Sequence, residues 1–255
     1  MAEGENTTML KSERHAFIIK QINLHNKVLS SDLSIRLQVS EDTIRRDLNN
    51  LADEGKILKV HGGALSKSFQ SSYRLNEIYA MDSKKEVALK AIQLISEGMV
   101  VLTGGGTTMI QMARLIPESL RATFFTVSPL VALELSEHHN LTVILIGGQL
   151  SKNAQIHIGS KTVADLIEIK VDLCLLGANG ISLKDGITDS DWEVVQVKKA
   201  MIRSANKVAI MCISEKLDSV QKMKICNLSN LEYLISDLKT DNPKFDAYNS
   251  LVKVL

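Results

Sequence analysis

The spacing of apolar residues divides the chain into two regions. Up to residue 66, apolar side chains recur about every three to four positions within short segments, the period of an amphipathic helix. From residue 84 onward, helical segments alternate with short, uniformly apolar runs. Strands of that kind are covered on both faces, which favours a largely parallel sheet with helices on either side. We therefore predict a small helical domain followed by an α/β domain.

The domain boundaries are predicted where the periodicity changes. Residues 1–66 are expected to form the helical domain and residues 84–255 the α/β domain. Residues 67–83 lose the apolar period and contain several serines, which is typical of a linker. Trp192, near the start of a predicted helix in the second domain, is expected to pack against that helix rather than against a ligand.

The clearest predicted helix begins with Ser40 as its N-cap and ends near Gly55. Its apolar positions are spaced so that they share one face: Ile44, Leu48 and Leu51. On the same helical wheel Arg46 points away from that face and Arg45 lies beside it. A polar surface that carries arginine is therefore predicted to face outward.

The segments on both sides of this helix predict a winged helix-turn-helix. Ser31–Val39 predicts a shorter helix, and Gln38–Glu41 has the length of a helix-turn-helix corner. Apolar and basic residues alternate from Lys56 to His61 before a glycine pair, which predicts a short hairpin. Arginine and asparagine are the favoured partners of guanine and adenine in the major groove. A helix that presents Arg46, Asn49 and Asn50 is therefore suited to read base edges.

These charged residues are also compatible with an ordinary solvated surface. Residues 40–61 carry four basic side chains against five acidic ones, so the segment has no basic block. Asp42 and Arg46 have the spacing of a common helical ion pair. Composition alone would favour this second interpretation.

A longer match favours DNA binding. TIRRDLNNLADEGKILKVHGGA, from Thr43 to Ala64, resembles the signature of the DeoR family of bacterial transcriptional regulators, in which a TIRRDL recognition helix leads into a wing that ends in HGGA. The match is ungapped over more than twenty residues, which makes it far more specific than a short motif. With this resemblance, the predicted DNA-contacting residues are Ser31, Ser40, Thr43, Arg45, Arg46, Asn49, Asn50, Lys59, His61 and Gly62.

Glycine-rich turns follow three predicted strands of the second domain. TGGGTT, from Thr103 to Thr108, lies between a strand and a helix, where backbone N–H groups and threonine hydroxyls can bind phosphate. It is neither a P-loop nor a dinucleotide motif, and such a turn is more often only a turn. Two further turns contain Gly147–Gly148 and Gly177–Gly180. Asp185 and Lys216 could reach the same edge of the sheet, although both are also ordinary surface residue types.

The segment from Gly177 to Ala205, with its DGIT and EVVQVKKAMI runs, resembles the C-terminal sensor domain of DeoR-type regulators. That domain is similar in fold to the sugar-phosphate isomerases and binds a phosphorylated sugar or a related metabolite. The chain has TGGGTTM where the family more often has DSGTTT, and it has Ser214–Leu217 where the family has Ser-Ser-Lys-Phe. The resemblance implies that the effector-binding residues are Gly104, Gly105, Gly106, Thr107, Thr108, Gly148, Asp185 and Lys216.

Composition and charge limit the class of protein. Of the 255 residues, 45% are apolar and 23% are charged, which is typical of a soluble globular protein, and the net charge is only +1. Any hold on DNA must therefore come from charges arranged on one face. The start lacks an apolar leader and no later run approaches a membrane span, so we expect a cytoplasmic protein without a membrane partner. We expect no metal and no cofactor, and we interpret the cysteines as reduced core residues: Cys174, Cys212 and Cys226.

The two resemblances together imply a DNA-binding transcriptional regulator. We expect a repressor of a carbohydrate-metabolism operon that is released from double-stranded operator DNA by a phosphorylated sugar. One recognition helix seldom suffices, so a homo-oligomer, dimer or tetramer, is expected to bind paired half-sites.

The alternative is a sugar-phosphate isomerase or deaminase with a fused DNA-binding domain. Proton transfer needs a base near the substrate, commonly histidine or a carboxylate. All six histidines precede the third glycine turn, and Asn179 stands where the related isomerases tend to have an acid. We therefore expect no enzymatic activity, although Asp185 or Asp189 could in principle serve as a base.

Overall fold

A computed structural model describes residues 9–25, 27–67 and 79–255, which belong to two compact units. The first unit ends at Tyr79 and the second begins at Ala80. Most of the predicted linker lies outside the described residues. Its last residues are helical. The first helix of the second unit begins at Met81, whereas the sequence predicted that the second domain begins at residue 84.

The first unit is a three-helix domain with a small antiparallel sheet. In chain order its elements are α1 (Lys11–His25), β1 (Lys27–Leu29), α2 (Ser30–Leu37), α3 (Glu41–Asp53), β2 (Leu58–Val60) and β3 (Gly63–Leu65). The strands pair in the order β1-β3-β2, so β2 and β3 form the predicted hairpin. The core contains the predicted apolar face of α3 together with residues of α1 and α2: Ile18, Ile22, Leu33, Ile44, Leu48 and Leu51.

Both predicted ends of the central helix are confirmed. The Oγ of Ser40 accepts a hydrogen bond from the backbone N–H of Thr43 at 3.2 Å, which caps the first turn of α3. At the other end, the N–H of Lys56 donates to the carbonyl of Leu51 at 2.8 Å. Gly55 makes this turn possible because its φ is +70°, a conformation that favours glycine.

The tip of the wing depends on its glycines. Gly62 has a φ of +74°, and its carbonyl accepts a hydrogen bond from the N–H of Ser30 at 2.8 Å. A β-carbon at Gly63 would lie 2.0 Å from the carbonyl oxygen of Val28. Any side chain at Gly63 would therefore push β3 away from β1, and the wing would lose its support.

The second unit is an α/β domain, as predicted. Its helices are α4 (Met81–Ile92), α5 (Thr107–Leu115), α6 (Pro129–Ser136), α7 (Ser160–Ile167) and α8 (Trp192–Arg203). Its main strands are β4 (Val100–Thr103), β5 (Ala122–Thr126), β6 (Leu141–Leu145), β9 (Val171–Gly177), β12 (Ala205–Met211), β14 (Tyr233–Ile235) and β15 (Lys253–Val254). They form a parallel sheet in the order β15-β14-β12-β9-β4-β5-β6, which confirms the predicted fold class.

Short strands outside the main sheet were not predicted. They form a hairpin, β7 (Gln149–Ser151) and β8 (Ile156–Ile158), and a three-stranded sheet, β10 (Gly180–Ser182), β11 (Gly186–Asp189) and β13 (Met223–Cys226). A brief 3-10 turn, Ser214–Lys216, follows β12. Runs of three or four residues are too short to show a period, which explains why the sequence did not reveal them.

Two expectations about burial are wrong. Strand β6 is not covered on both faces, because it is the last strand of the sheet; its Ile144 and Leu145 remain 39% and 42% exposed. Trp192 does not pack against its helix and is 61% exposed. Trp192 is the first residue of α8, directly after the capping carboxylate of Asp191, so it precedes the turns that pack against the sheet.

Two of the three cysteines are buried as predicted for core residues, whereas Cys226 is only partly buried. None of the three forms a disulfide, and Cys174 and Cys212 are buried. Burial raises the pKa of the Cys226 thiol to about 11, so this thiol is also unreactive at neutral pH. Within residues 9–25, 27–67 and 79–255, we find no helix with the length and apolar character needed to cross a lipid bilayer.

Candidate functional site

The first candidate surface lies on α3 and the wing. None of the ten predicted DNA-contacting residues is buried. Arg45 and Arg46 have side chains that are 67% and 78% exposed. The exposed members of the predicted set also include Ser31 of α2, Ser40 at the N-cap of α3, and residues of the wing: Lys59, His61 and Gly62. The structure therefore brings an arginine-bearing helix face and a basic hairpin to one solvent-exposed surface of the first unit.

Polar contacts order the side chains of this surface. The Nζ of Lys59, on the wing, donates to the Oδ1 of Asn49 on α3. The Oδ2 of Asp42 lies 2.8 Å from Nη2 of Arg46, and its Oδ1 accepts from Nη2 of Arg45. Because Asn49 already uses its oxygen to hold Lys59, its amide NH2 is the group best placed to contact another molecule.

A buried ion pair holds α3 against α1. Asp47, on the side of α3 opposite its arginines, accepts from Nε of Arg14 at 2.5 Å and from Nη2 of Arg14 at 3.2 Å. Nε2 of His15 lies 3.0 Å from the same carboxylate. Burial alone would raise the pKa of Asp47, but the hydrogen bonds from Arg14 and His15 outweigh it and hold the pKa below its usual value. Asp47 is therefore a charged structural residue and not part of the outer face.

The second candidate site lies where the glycine turn follows β4. The N–H of Gly104 donates to the carbonyl of Leu175 at 3.0 Å, which joins this turn to the end of β9. A β-carbon at Gly105 would lie 2.5 Å from Cγ2 of Ile156, so a side chain at this position would clash with Ile156. Gly106 has a φ of +106° and directly precedes α5, whose first residues are Thr107 and Thr108. The N-terminal N–H groups of α5 therefore lie next to the glycine turn, and the first two residues of the helix are both threonines.

Two lysines fix the ends of the neighbouring strands. The Nζ of Lys198, on α8, donates to the carbonyl of Gly177 at 2.9 Å. The Nζ of Lys216, after β12, donates to the carbonyl of Ala178 at 2.9 Å. A β-carbon at Gly177 would lie 3.9 Å from the carbonyl oxygen of Gly105, so these carbonyls adjoin the glycine turn. Two ammonium groups are thereby brought to the same edge as the turn.

A third lysine, Lys84, belongs to the same charged group. It lies on the first turn of α4 and is buried. Burial and the positive charge of Lys216 lower the pKa of Lys84 to about 7, while the charge of Glu215 opposes that change. Burial also lowers the pKa of Lys216, with a further contribution from Lys198 in the same direction. Lys216 is thus within range of the charges of both Lys84 and Lys198, which makes this edge a candidate for anion binding.

One carboxylate balances part of this charge. Asp189, at the end of β11, accepts from Nζ of Lys198 at 2.8 Å and from Nδ2 of Asn179 at 2.9 Å. Burial alone would raise the pKa of Asp189, but the charge and hydrogen bond of Lys198 and the bond from Asn179 keep it below its usual value. Asp189 is therefore held as an ionised acceptor at this edge.

The other two predicted effector residues, Asp185 and Gly148, lie on different elements. Asp185 is in the turn between β10 and β11, at the opposite end of that hairpin from Asp189, and its Oδ2 lies 3.3 Å from Oγ of Ser182. Gly148 follows β6, two strands away from β4 in the sheet, and a β-carbon there would lie 2.0 Å from Oγ1 of Thr162. The structure thus brings Lys216 to the glycine turn but not Asp185.

Two family models match the chain. Residues 14–70 match the DeoR-like helix-turn-helix domain, and residues 80–238 match the DeoR C terminal sensor domain. This protein belongs to the DeoR family. The match spans both units, so the predicted family is confirmed together with the two-part organisation.

Relatives of this DeoR-family protein are named as regulators. It is 30% identical over 232 residues to the HTH-type transcriptional regulator GlpR of Haloferax volcanii, covering 90% of this chain and 91% of the relative. It is 31% identical to the HTH-type transcriptional repressor GlcR of Bacillus subtilis, covering 90% and 89%. It is 28% identical to the L-fucose operon activator of Escherichia coli, covering 89% and 96%. The named relatives thus include both a repressor and an activator.

Solved structures resemble the DeoR-family chain more distantly. A ribose 5-phosphate isomerase A from Methanocaldococcus jannaschii has a TM-score of 0.40 and 19% identity, covering 55% of each chain. A Pyrococcus horikoshii translation initiation factor eIF-2B has a TM-score of 0.45 and 15% identity, covering 90% of this chain and 82% of the other. Similarities this low assign no function.

Several residues that contribute to the two sites of this DeoR-family protein were not predicted from its sequence. Asp47 is spaced with Ile44 and Leu51 on the inner side of α3, and an acid in that position was a usable sign of a buried ion pair. Lys84, Lys198 and Asp189 come from three separate elements. No local spacing in the sequence connects these three residues, so only the fold could bring them together.

Proposed function

We propose that this DeoR-family regulator binds operator DNA through α3 and the wing, and that a phosphorylated sugar at the carboxyl edge of the parallel sheet changes that binding. The observation that carries the proposal is that the glycine turn adjoins the strand end whose carbonyls accept hydrogen bonds from Lys198 and Lys216. An anion there could accept hydrogen bonds from the N–H groups of the turn and pair with a lysine ammonium group.

The surface of the first unit supports the DNA half of the proposal. Arg46 and Asn50 are on the outer part of α3, and Lys59 and His61 lie on the adjacent hairpin. In such an arrangement, the helix contacts base edges while the wing contacts phosphates. Binding to paired half-sites would require at least a dimer, and action on an operon implies a cytoplasmic location, so both belong to the proposal.

Each group at the sheet edge has a role in binding the effector. The turn at Gly104–Gly106 and the hydroxyls of Thr107 and Thr108 would hold the phosphate, with Lys84 and Lys216 supplying the charge. Asp189 accepts hydrogen bonds from Lys198 and Asn179 and would hold these two side chains in place beside the ligand. Gly148 and Asp185 remain predicted contacts for a longer part of the ligand.

We infer that the protein regulates sugar metabolism without catalysing a reaction. Isomerisation or deamination of a sugar phosphate needs a base with a pKa near the working pH. The pKa of Asp189 is lowered and its oxygens already accept from Lys198 and Asn179, so it is a poor base. Repression, with release by the effector, is the mode that we propose, as in the relative named a repressor.

The DNA half is tested by comparing two substitutions. Arg46→Ala should weaken binding to an operator selected by the wild-type protein from random duplexes by about 1 to 3 kcal/mol, and should relax base preference at one position of each half-site. Lys59→Ala should instead weaken binding to all sequences nearly equally and reduce the salt slope by about one. Fluorescence anisotropy at several salt concentrations measures both quantities.

Lys20→Ala is the matched control, because Lys20 is an exposed residue of α1 outside the predicted surface. It should leave the base preference unchanged. Equal operator affinity and equal base preference for wild type and Arg46→Ala would contradict the assignment of α3 to the major groove.

The affinity of the protein for its effector is expected to depend on pH. Because the pKa of Lys84 is about 7 in the protein without effector, rising pH removes the charge that the phosphate would pair with. The phosphate itself stays a dianion above its second pKa of about 6. Affinity for a phosphorylated sugar should therefore fall about tenfold between pH 7 and pH 8.5. Isothermal titration with the strongest ligand from a panel of hexose, pentose and glycerol phosphates measures this change.

Lys84→Met provides the comparison. This variant lacks the titrating amine, so its affinity should be lower at pH 7 and nearly flat up to pH 8.5. A wild-type affinity that does not change over this interval would show that Lys84 does not contact the anion.

A further inference from the structure

Asp42, on the first turn of α3, contacts two arginines at once. Its Oδ2 lies 2.8 Å from Nη2 of Arg46, and its Oδ1 accepts from Nη2 of Arg45. Because the arginines use different oxygens, both guanidinium groups are held at the same time. All three side chains are on the solvent-exposed face, with 43% of the Asp42 side chain exposed.

We propose that Asp42 determines how strictly the α3 surface discriminates between DNA sequences. It does so by positioning Arg46 for base contact and by repelling phosphates that approach without a matching base. This inference rests on the proposed binding of DNA by α3, and it assigns a role to a residue that donates no hydrogen bond to DNA itself.

The charge of Asp42 opposes indiscriminate binding. Non-specific binding to DNA depends on cations that pair with phosphates. On this face Asp42 offsets part of the charge of Arg45 and Arg46, so contacts to phosphates alone gain less. A matching base adds hydrogen bonds in the groove and compensates for the repulsion, whereas a mismatched site does not.

The contacts of Asp42 also limit the freedom of Arg46. A free arginine side chain has many rotamers and loses that entropy when it binds. A carboxylate one helical turn earlier keeps the guanidinium along α3 before DNA arrives. Because exposed ion pairs are weak, Arg46 can still exchange this contact for a base. Asp42 therefore orders the arginine without sequestering it.

The test compares two DNA duplexes with three variants of the full-length chain. One duplex is the operator selected by the wild-type protein, and the other is scrambled DNA of equal length. Asp42→Asn should raise affinity for scrambled DNA about 3- to 10-fold at 0.1 M salt and make its salt slope steeper by up to about 0.9. Affinity for the operator should change much less, so the ratio of the two affinities should fall by a similar factor.

Two controls isolate the position and the charge. Asp53→Asn makes the same change of charge at an exposed residue at the other end of α3, and should leave the ratio unchanged. Asp42→Glu keeps the charge, and should retain the wild-type salt slope on scrambled DNA. If Asp42→Asn melts well below the wild type, Asp42→Ser takes its place, because it removes the same charge with a small polar side chain.

Each outcome has one meaning. An unchanged ratio for Asp42→Asn, or an equal fall for Asp53→Asn, would overturn the role of Asp42. If Arg46→Ala loses operator preference while Asp42→Asn keeps it, only this inference fails. If Arg46→Ala keeps full preference, the proposed use of α3 fails first. Combining Asp42→Asn with Arg46→Ala should change both duplexes equally, because only the charge effect remains.

Discussion

Replacement of Asp47 by alanine is expected to lower the free energy of unfolding of the first unit by about 3 to 5 kcal/mol. The substitution leaves the guanidinium of Arg14 buried without its carboxylate, which costs far more than an exposed pair. Small domains are stable by only about 5 to 15 kcal/mol, so much of the first unit's stability would be lost. Operator binding should fall with it, although Asp47 faces away from the DNA surface.

The same ion pair predicts how acid affects the first unit. The pKa of Asp47 is lowered in the folded protein, so its stabilising contribution is present above the usual carboxylate pKa and is lost as the pH falls through the lowered value. The stability of the Asp47→Ala variant should therefore depend less on pH at the acid end than that of the wild type.

Hydrogen exchange of the first unit and denaturant unfolding of the whole chain measure this loss of stability. Asp53→Ala, at the exposed last residue of α3, is the control and should change stability by less than about 0.5 kcal/mol. Equal protection of α1 and α3 in Asp47→Ala and wild type would show that the pair with Arg14 contributes little.

Lys216→Met is expected to raise the concentration of phosphorylated sugar needed to release the operator by about 10- to 150-fold. This range corresponds to the loss of one hydrogen bond to a charged group, about 1.5 to 3 kcal/mol. Methionine fills similar volume and removes a buried charge, so the fold of the second unit should be retained. Operator affinity without effector should stay at the wild-type value.

Lys85→Met is the matched control for Lys216→Met. Lys85 is an exposed residue of α4 and is adjacent in sequence to Lys84. Its loss changes the net charge equally but should leave the effector response intact. A wild-type response in Lys216→Met, measured by anisotropy of labelled operator, would mean that the effector binds away from the lysine cluster.

Features that lie within one element could be predicted from local patterns in the sequence. The helical period of Ile44, Leu48 and Leu51 and the cap at Ser40 predicted α3, because these signals lie within one element. The glycine turn after β4 was also predicted, because only local backbone conformation is needed there.

Contacts between residues that are far apart in the chain could not be predicted from local patterns. Arg14 and Asp47 are separated by 33 positions, and no period connects α1 with α3. Lys216 is within range of the charges of Lys84 and Lys198, although the three lysines belong to separate chain segments. The pKa values of Lys84 and Lys216 are lowered mainly by burial, which is a property of the folded chain.

We propose that one chain binds DNA with its first unit and responds to a phosphorylated sugar with its second. Anisotropy of the selected operator, titrated with sugar phosphates and with the same sugars lacking phosphate, tests it most directly. We predict that at least one phosphorylated sugar releases the wild-type protein, that its unphosphorylated form does not, and that Lys216→Met responds only at much higher concentration. Release by unphosphorylated sugars, or equal release of Lys216→Met, would contradict the account.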